Sequence, residues 1–508
     1  MIAEIVSGAV VGVDGFAVTV EIDLARGLPS FTIVGLPNAA VRESRERVTA
    51  AIRNNGYQFP NKRITVNLAP ADVRKEGAAF DLPIAVGLLL ASEQIECTVA
   101  AGVIILGELA LDGGLKPVRG VLPVACYARR NDYRYLVVPD ANAAEASAVK
   151  GVAVVPCAHL MDTVDFLRGG AVRDMHSPQA GSPGPACELD YRHVLGQHAA
   201  KRAMVVAAAG GHHALMIGPP GSGKTMLARR LPSILPPLEE DEALENAKIM
   251  SVRGMMEWQG LPRTRPFRSP HHSASDAGLV GGGRNASPGE ITLAHNGVLF
   301  LDELTEFRRN VLESLRQPIE EGRIVISRAN ANCSYPARFQ LVAAMNPCPC
   351  GFSGSPDAVC TCSPLQRRRY LSKISGPLID RIGIYIPVRR VEQRYLERNN
   401  PGTEADSASM GKEVLRAFAL QRERYRGIDT MHRNADVPVA LLDEMCPMSA
   451  EAERLLSDAQ RAVRFSARGR THIIQVARTI ADLDGCATIE ARHIGEAVQY
   501  RVPRHLSE

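Results

Sequence analysis

A glycine-rich loop constrains this chain more than any other feature. It follows the short apolar run Ala214 to Ile217 and precedes the helix-like stretch Met226 to Leu231, with the pattern G-x-x-x-x-G-K-T. Glycines let backbone amides surround a phosphate, the lysine supplies positive charge, and the threonine hydroxyl binds Mg²⁺. The pattern therefore predicts an α/β fold that binds a nucleoside triphosphate. The predicted nucleotide ligands are Gly218, Pro219, Pro220, Gly221, Ser222, Gly223, Lys224 and Thr225.

Two later strand-like segments end in polar residues that would complete this site. Val298 to Leu301 is apolar and runs directly into Asp302 and Glu303. We expect Asp302 to hold Mg²⁺ and Glu303 to polarise the attacking water. Phe339 to Ala344 leads to Asn346, which could orient the same water. Together the three segments predict ATP hydrolysis.

The bulk composition sets only broad limits. A chain of 508 residues predicts two or three domains. A formal net charge of +4 is too small to indicate a partner, so any argument for nucleic acid must come from local clustering. We find no membrane-length apolar run and no export signal, and the cysteines are mostly scattered. These features predict a cytoplasmic protein with no membrane partner.

Changes in composition suggest four regions. Residues 1–168 alternate between strand-like and helix-like segments, whereas residues 169–188 are rich in Gly, Ser and Pro and are typical of a linker. Residues 189–395 contain the nucleotide motifs. Residues 396–508 are mostly helix-like after a polar loop.

Long motifs give the chain a resemblance to a known family. Together with the nucleotide motifs, they resemble the AAA+ superfamily and, more closely, the ComM/YifB family of magnesium chelatase-like ATPases. The segments that carry the likeness are Pro266 to His272, Gly281 to Gly283, Pro288 to Ile291, Leu293 to Gly297, Asn346 to Gly351 and Ser375 to Ile382. The resemblance implies an AAA+ core with a helical lid.

The resemblance also implies roles for individual residues. Asn346 matches the first sensor of the superfamily, Arg381 matches the arginine finger that reaches a neighbouring subunit's site, and Arg468 matches the second sensor of the lid. A working site would then need a ring of copies, usually six. Without the motifs, either arginine would be read as a surface ion pair.

The N-terminal region resembles the proteolytic domain of Lon, which uses a Ser-Lys dyad. Ala79 stands at the place of the nucleophilic serine and Val124 lies near that of the lysine. Acyl chemistry needs both groups, so the resemblance implies a degenerate Lon-like domain that serves as a scaffold.

Four cysteines are clustered as C-x-C-x9-C-x-C at Cys348, Cys350, Cys360 and Cys362. Four thiolates can close a structural zinc site. The alternative is a group of free cysteines in a loop that the family shares.

Basic residues concentrate in two segments, 263–284 and 323–338. The chelatase-like clade inserts a hairpin into the ring pore at the place of the first segment, and the second segment is a further hairpin candidate. Arginines around a pore would follow a phosphate backbone without reading bases. The alternative is solvated loops with structural ion pairs. The candidate DNA contacts are Arg265, Arg268, Arg284, Arg323 and Arg328.

The preferred hypothesis is a hexameric, ATP- and Mg²⁺-dependent DNA motor that acts on single-stranded or branched DNA. The family resemblance associates such a motor with branch migration in recombination or natural transformation. The alternatives are a metal-chelatase motor and a protein-remodelling ATPase.

Overall fold

A computed structural model describes residues 2–75, 77–99, 102–170, 189–255, 258, 260–282, 287–328, 331–354, 358–391, 405–428, 431–463 and 465–501. For residues 327, 328, 331 and 332 it describes the backbone alone. Within these ranges, no helix is both long and apolar enough to cross a membrane.

The described strands are β1 (Ile2–Val11), β2 (Asp14–Ala25), β3 (Ser30–Val34), β4 (Arg63–Ala69), β5 (Val103–Ile105), β6 (Glu108–Leu109), β7 (Leu115–Lys116), β8 (Tyr135–Pro139), β9 (Ala153–Cys157), β10 (Ala214–Ile217), β11 (Phe267–Arg268), β12 (Gly281–Gly282), β13 (Ser287–Pro288), β14 (Val298–Leu301), β15 (Arg323–Arg328), β16 (Ala331–Pro336), β17 (Gln340–Met345) and β18 (Ile384–Pro387).

The described α-helices are α1 (Ala39–Arg42), α2 (Ser44–Asn54), α3 (Asp81–Ala91), α4 (Val121–Arg130), α5 (Asp140–Ala146), α6 (Leu160–Leu167), α7 (His198–Gly210), α8 (Lys224–Arg230), α9 (Glu240–Arg253), α10 (Asp276–Leu279), α11 (Glu290–Leu293), α12 (Arg309–Ser314), α13 (Arg316–Glu321), α14 (Pro364–Leu371), α15 (Gly376–Ile379), α16 (Ser407–Arg424), α17 (Leu442–Met445), α18 (Ala450–Val463), α19 (Ala467–Leu483) and α20 (Ala491–Gln499).

The chain divides into two compact units, and neither is continuous in sequence. The first unit takes the described residues of Met1–Pro183, Glu240–Pro262 and Val325–Tyr335. The second takes those of Gly184–Glu239, Arg263–Ile324 and Pro336–Glu508. The expected mixed α/β architecture is confirmed, while the four sequence boundaries and the Lon-like assignment remain predictions.

The first unit is built on a four-stranded sheet in the order β1-β2-β4-β3. The β1–β2 hairpin pairs Ile2 with Asp23 and Val11 with Asp14, and Gly12 turns between them with a φ of 65°. Helix α3 is buried almost all round, because nearly every residue in it is apolar, and packs on β1 and β2. A parallel sheet of β5, β8 and β9 completes the α/β unit.

Helix α9 belongs to the first unit, although it lies between motifs of the nucleotide site in sequence. It packs against α4, where Ala247 is buried in a cluster with Val124 and Ala128. The Gly120 backbone N–H donates to the Ser251 carbonyl over 3.3 Å, and Lys248 Nζ lies 3.7 Å from Asp14. The position of α9 is therefore set by packing of its apolar face against α4, which is far away in sequence.

The second unit contains a parallel five-stranded sheet in the order β11-β14-β17-β10-β18. Strands β10, β14 and β17 are buried along their whole length, as expected for a parallel sheet covered on both faces. Their carboxyl ends lie at one edge and lead into the glycine-rich loop, Asp302 and Asn346. Helices α16 to α20 follow in sequence, and their apolar residues share one core with this sheet.

Candidate nucleotide-binding site

The glycine-rich loop joins β10 to α8, which begins at Lys224. Gly221 and Gly223 have φ angles of 74° and 93°, a region that side chains with a Cβ rarely adopt. A Cβ at Gly218 would stand 2.0 Å from the Val388 carbonyl oxygen. Glycine is therefore required for backbone geometry at two positions and for close packing at the third.

The Lys224 ammonium connects this loop to Asn346. It donates to the carbonyl oxygens of Gly218 and Pro219, over 2.7 and 2.9 Å, and to Asn346 Oδ1 over 3.2 Å. Burial lowers the pKa of Lys224, and the nearby carboxylates of Asp302 and Glu303 oppose that shift. The structure thus brings together all three motifs expected from the sequence.

Thr225 and Asp302 form the candidate Mg²⁺ site. The Thr225 hydroxyl donates to Asp302 Oδ2 over 2.6 Å, and the Glu303 backbone N–H donates to Asp302 Oδ1 over 3.0 Å. A hydroxyl and a carboxylate are oxygen ligands that Mg²⁺ accepts beside nucleotide phosphates. The two residues are positioned to share one ion.

Glu303 has a neighbour that sequence reasoning missed. His272 Nδ1 lies 3.6 Å from Glu303 Oε2, and the His272 ring meets Phe307 edge-on. His272 ends the Pro266 to His272 motif, which begins at the edge strand β11 beside β14. Because β11 pairs in parallel with β14, the residues after both strands lie at the same edge of the sheet, and this pairing could have pointed to His272.

A cavity of about 850 Å³ opens beside Glu303 and Asn346. Its wall combines the acidic end of β14, helix α14, and the loop of residues 347–363 that carries the four clustered cysteines, here called the cysteine loop. It is lined by Glu303, Thr305, Glu306, Asn346, Pro349, Cys350, Thr361, Cys362, Gln366, Arg369, Tyr370 and Lys373. Neither Arg381 nor Arg468 lines this cavity.

The two arginines of the family motifs meet on one carboxylate. Arg381 Nη2 and Arg468 Nη2 lie 2.5 and 2.6 Å from Glu320 Oε1. The hydrogen bond from Arg381, followed by the other charge contacts, lowers the pKa of Glu320. Glu320 was not identified from the sequence, because its role depends on a contact between helices α13 and α19.

Helix α19 is also attached to the loop that carries Arg381. His472 Nε2 lies 3.1 Å from the Asp380 carbonyl, so it donates there, and His472 Nδ1 lies 3.2 Å from Gln475 Oε1. Arg381 Nη1 donates to the Pro377 carbonyl over 2.5 Å. Arg381 and Arg468 are therefore fixed relative to each other within one chain.

The four clustered cysteines converge in space. The Sγ atoms of Cys348 and Cys350 lie 3.3 Å apart, and Cys360 Sγ lies 3.7 and 3.6 Å from them. All four sulfurs lie within 4.8 Å of one another. Zinc bonded to four thiolates at about 2.3 Å sets sulfurs about 3.8 Å apart, whereas a disulfide requires about 2.0 Å.

The surroundings of the sulfurs also suit a thiolate–metal site. Backbone N–H groups of Cys350 and Ser353 donate to Cys362 Sγ and Cys348 Sγ, each over 3.3 Å. A backbone hydrogen bond from Phe352 is the main cause that lowers the pKa of Cys350, to about 5, while burial raises the pKa of Cys348 to about 12. A divalent cation would stabilise the thiolate form of both. The residues present therefore fit zinc.

The candidate DNA contacts differ in their surroundings. Arg265 is 3% exposed and donates to the carbonyls of Pro236 and Asn296, each over 2.8 Å. Arg268 forms a bidentate ion pair with Glu290, in which Nε and Nη2 donate to the two carboxylate oxygens over 2.7 and 2.8 Å. Arg323 is exposed and lies 3.4 Å from Glu321. Burial against these carbonyls makes Arg265 a structural residue, and the prediction that it contacts DNA is wrong.

The side chains of the remaining two candidates lie outside the described part of the structure. Arg284 lies outside the described residues, and Arg328 is described by its backbone alone, at the end of β15. The segment 323–338 contains the paired strands β15 and β16, whereas β12 of the segment 263–284 pairs with β13, which lies just after that segment.

The parallel sheet, its glycine-rich loop and the polar strand ends define a phosphate-loop nucleotide-binding protein of the AAA+ type. Family models agree: the one described as magnesium chelatase, subunit ChlI, matches residues 190–396, and the model of its C-terminal part matches residues 404–501. A third, described as subunit ChlI of Mg-chelatase, matches residues 20–142.

Individual relatives extend over nearly the whole chain. YifB of Salmonella typhimurium is 43% identical over 494 residues, covering 97% of this chain and 96% of YifB. The competence protein ComM of Haemophilus influenzae is 43% identical over 506 residues, covering 98% and 97% of the two chains. The magnesium-chelatase 38 kDa subunit of Rhodobacter capsulatus is 28% identical over 344 residues, covering 62% of this chain and 87% of that subunit.

The chain belongs to the ComM/YifB family of magnesium chelatase-like AAA+ proteins. Membership implies ATP and Mg²⁺ as ligands and ATPase activity.

Proposed function

We propose that this protein is an ATP-driven DNA motor that works as a ring, with six copies as the expected number. Its task would be branch migration of DNA during recombination or natural transformation. The observation that carries the proposal is the convergence of the phosphate loop, Asp302 and Asn346 in a chain that resembles a competence protein, ComM, along nearly its entire length.

The hydrolysis step follows from the site residues. Lys224 and the loop amides bind the phosphates, while Thr225 and Asp302 hold Mg²⁺. Glu303 takes up the proton of the attacking water, and Asn346 orients that water towards the γ-phosphate. Mg²⁺, when bound, neutralises charge on the phosphate oxygens. Zinc at the four cysteines would be structural.

Assembly of a ring is supported by the place of the two arginines. Arg381 and Arg468 lie together on Glu320 and do not line the cavity beside Glu303. A neighbouring copy could supply them to that cavity, where their charge would stabilise the transition state. The N-terminal unit would act as a degenerate Lon-like scaffold. We expect this assembly in the cytoplasm.

The DNA-binding part of the proposal depends on the hairpins. Arg323 is exposed at the base of β15, and Arg284 and Arg328 are its partners in the hypothesis. Arginines around a pore bind phosphates regardless of base sequence.

The proposal is tested by measuring the ATPase rate with and without forked or four-way-junction DNA, with Glu303→Gln as the control. We expect DNA to stimulate hydrolysis and the junction to move, and both effects to disappear in the variant. Strong ATPase activity that no DNA changes would contradict the motor hypothesis.

A metal-insertion motor is the second candidate, because a magnesium-chelatase subunit is similar over 62% of this chain. ATPase activity that ignores DNA but rises with a chelatase partner subunit and a porphyrin would favour it. A response to an unfolded protein instead would favour a protein-remodelling ATPase.

A further inference from the structure

The cysteine loop starts where the nucleotide site ends. Cys348 stands two residues after Asn346, and Cys362 precedes Ser363, whose hydroxyl caps α14. The loop therefore joins two parts of the cavity wall, the end of β17 and helix α14. A shift of this loop would therefore displace both the end of β17 and the start of helix α14.

The same loop rests on the glycine-rich loop. Gly351 has a φ of 85°, and a Cβ built there would stand 2.5 Å from Pro220 Cδ. Pro349, Cys350 and Cys362 also line the cavity next to Glu303 and Asn346. The cysteine loop thus packs against the glycine-rich loop at Pro220. It is also joined through Asn346 to the end of β17.

Backbone hydrogen bonds to sulfur contribute to the shape of the described part of this loop. Between Asn346 and α14 the described residues form turns and bends but no helix or strand, and Gly351 N–H donates to the Cys348 carbonyl over 2.9 Å. The four sulfurs lie within 4.8 Å of one another and bring the two ends together, and Arg367 Nη1 also donates across them to Ser353 Oγ over 3.4 Å. An ion bonded to all four sulfurs would tie the two ends of the loop together more strongly than these hydrogen bonds do.

We propose that zinc bound by Cys348, Cys350, Cys360 and Cys362 holds Asn346 and the phosphate loop in register, so that metal occupancy controls ATP hydrolysis. This inference rests on the proposed ATPase function. Asn346 contacts Lys224 through a single hydrogen bond, and a displacement of about 1 Å at a catalytic group can lower a rate about 100-fold. Nucleotide binding would change little, because Lys224 and the loop amides remain.

The test uses the full chain without DNA and measures three quantities: zinc per chain by mass spectrometry, the Kd of a fluorescent ATP analogue, and kcat. Cys362→Ser removes one half-exposed ligand, and Cys97→Ser, an exposed cysteine elsewhere, is the matched control. We expect about one zinc in the wild type and the control. We expect Cys362→Ser to lose its zinc and its kcat to fall at least about 10-fold. The Kd of the ATP analogue should change less than about 3-fold.

A second variant distinguishes the effect of zinc from the effect of the packing between the cysteine loop and Pro220. Gly351→Ala retains all four sulfurs but places a methyl group against Pro220, so we expect it to keep zinc and still lose kcat. This variant also tests the proposal if Cys362→Ser fails to fold, as judged by circular dichroism.

The possible outcomes distinguish failure of the zinc inference from failure of the proposed ATPase function. A wild type that binds no zinc, or a metal-free variant with normal kcat, would overturn the inference and leave the ATPase function standing. A wild type without ATPase activity would overturn both. Basal ATPase activity that depends on zinc but ignores DNA would remove only the DNA motor.

Discussion

Arg381 and Glu320 form an ion pair within a single chain, with Arg381 Nη2 2.5 Å from the Glu320 carboxylate. The Arg381 side chain is 9% exposed, whereas that of Glu320 is 44% exposed. Arg468 shares the same oxygen. If these arginines serve a neighbouring copy, they must first exchange Glu320 for the phosphate there.

Glu320→Gln should make that exchange easier. The glutamine keeps an oxygen acceptor but loses the charge, and a partly exposed ion pair is worth about 0.5–1 kcal/mol, so we expect ATPase activity to rise about 2- to 5-fold. The measurement is steady-state kcat at concentrations that allow assembly. Arg381→Ala should lower kcat sharply instead. A Glu320→Gln variant as inactive as Arg381→Ala would show that the pair supports the active state.

The Thr225 hydroxyl should govern the requirement for Mg²⁺. Thr225→Ala removes one oxygen ligand and the donor to Asp302, so we expect the Mg²⁺ concentration for half-maximal ATPase activity to rise at least about 10-fold. Thr225→Ser retains the hydroxyl and should behave like the wild type. Equal Mg²⁺ titrations for the alanine and serine variants would contradict this role.

The arginines of the basic segments should separate into two kinds. Arg323→Ala should weaken DNA binding and reduce the slope of log affinity against log salt by about 0.7–0.9, the value for one phosphate contact. Arg268→Ala should lower the melting temperature instead, because it removes the bidentate ion pair with Glu290. Binding titrations at several salt concentrations and thermal melts distinguish them. An unchanged salt slope for Arg323→Ala would remove it from the DNA surface.

Buried histidines should make the second unit sensitive to acid. Burial lowers the pKa of His212 to about 3 and of His472 to about 4. Below about pH 6.5 these histidines take up protons when the chain unfolds but stay neutral while it is folded, so stability falls as pH falls from about 6.5 to about 4. Each contributes up to about 1.4 kcal/mol per pH unit in that window.

Thermal melts between pH 7.5 and 5 test this expectation with wild type and His472→Gln. The variant should show a smaller loss of melting temperature as pH falls, even if it is less stable at pH 7.5. Parallel curves for the two proteins would mean that His472 is not one of the groups responsible.

Local sequence was enough to predict the central residues of the site. Asp302 and Asn346 directly follow buried parallel strands, and Lys224 begins the helix after the loop that follows a third. Strands of that kind deliver their carboxyl ends to one edge of the sheet. The cysteine spacing likewise predicted a cluster, because its members lie within one short loop. Neither prediction needed contacts between distant segments.

Features that depend on distant contacts could not be predicted in this way. Glu320 is one acid among many in the sequence, and its importance comes from two arginines that are far from it along the chain. Arg265 is basic like its neighbours, but packing buries it against the carbonyls of Pro236 and Asn296. Helix α9 joins the first unit because its apolar face fits α4.

The discontinuous units limit how this protein can be shortened or recombined. The boundaries between the units fall after residues 183, 239, 262, 324 and 335, so no single cut separates one unit from the other. Deleting residues 1–183 would strand α9, leaving Ala247 without the α4 residues it packs on. A gene exchange that replaced only the N-terminal half would have to match that helix as well. A functional exchange of the first unit would therefore have to carry residues 240–262 and 325–335 along with the N-terminal segment.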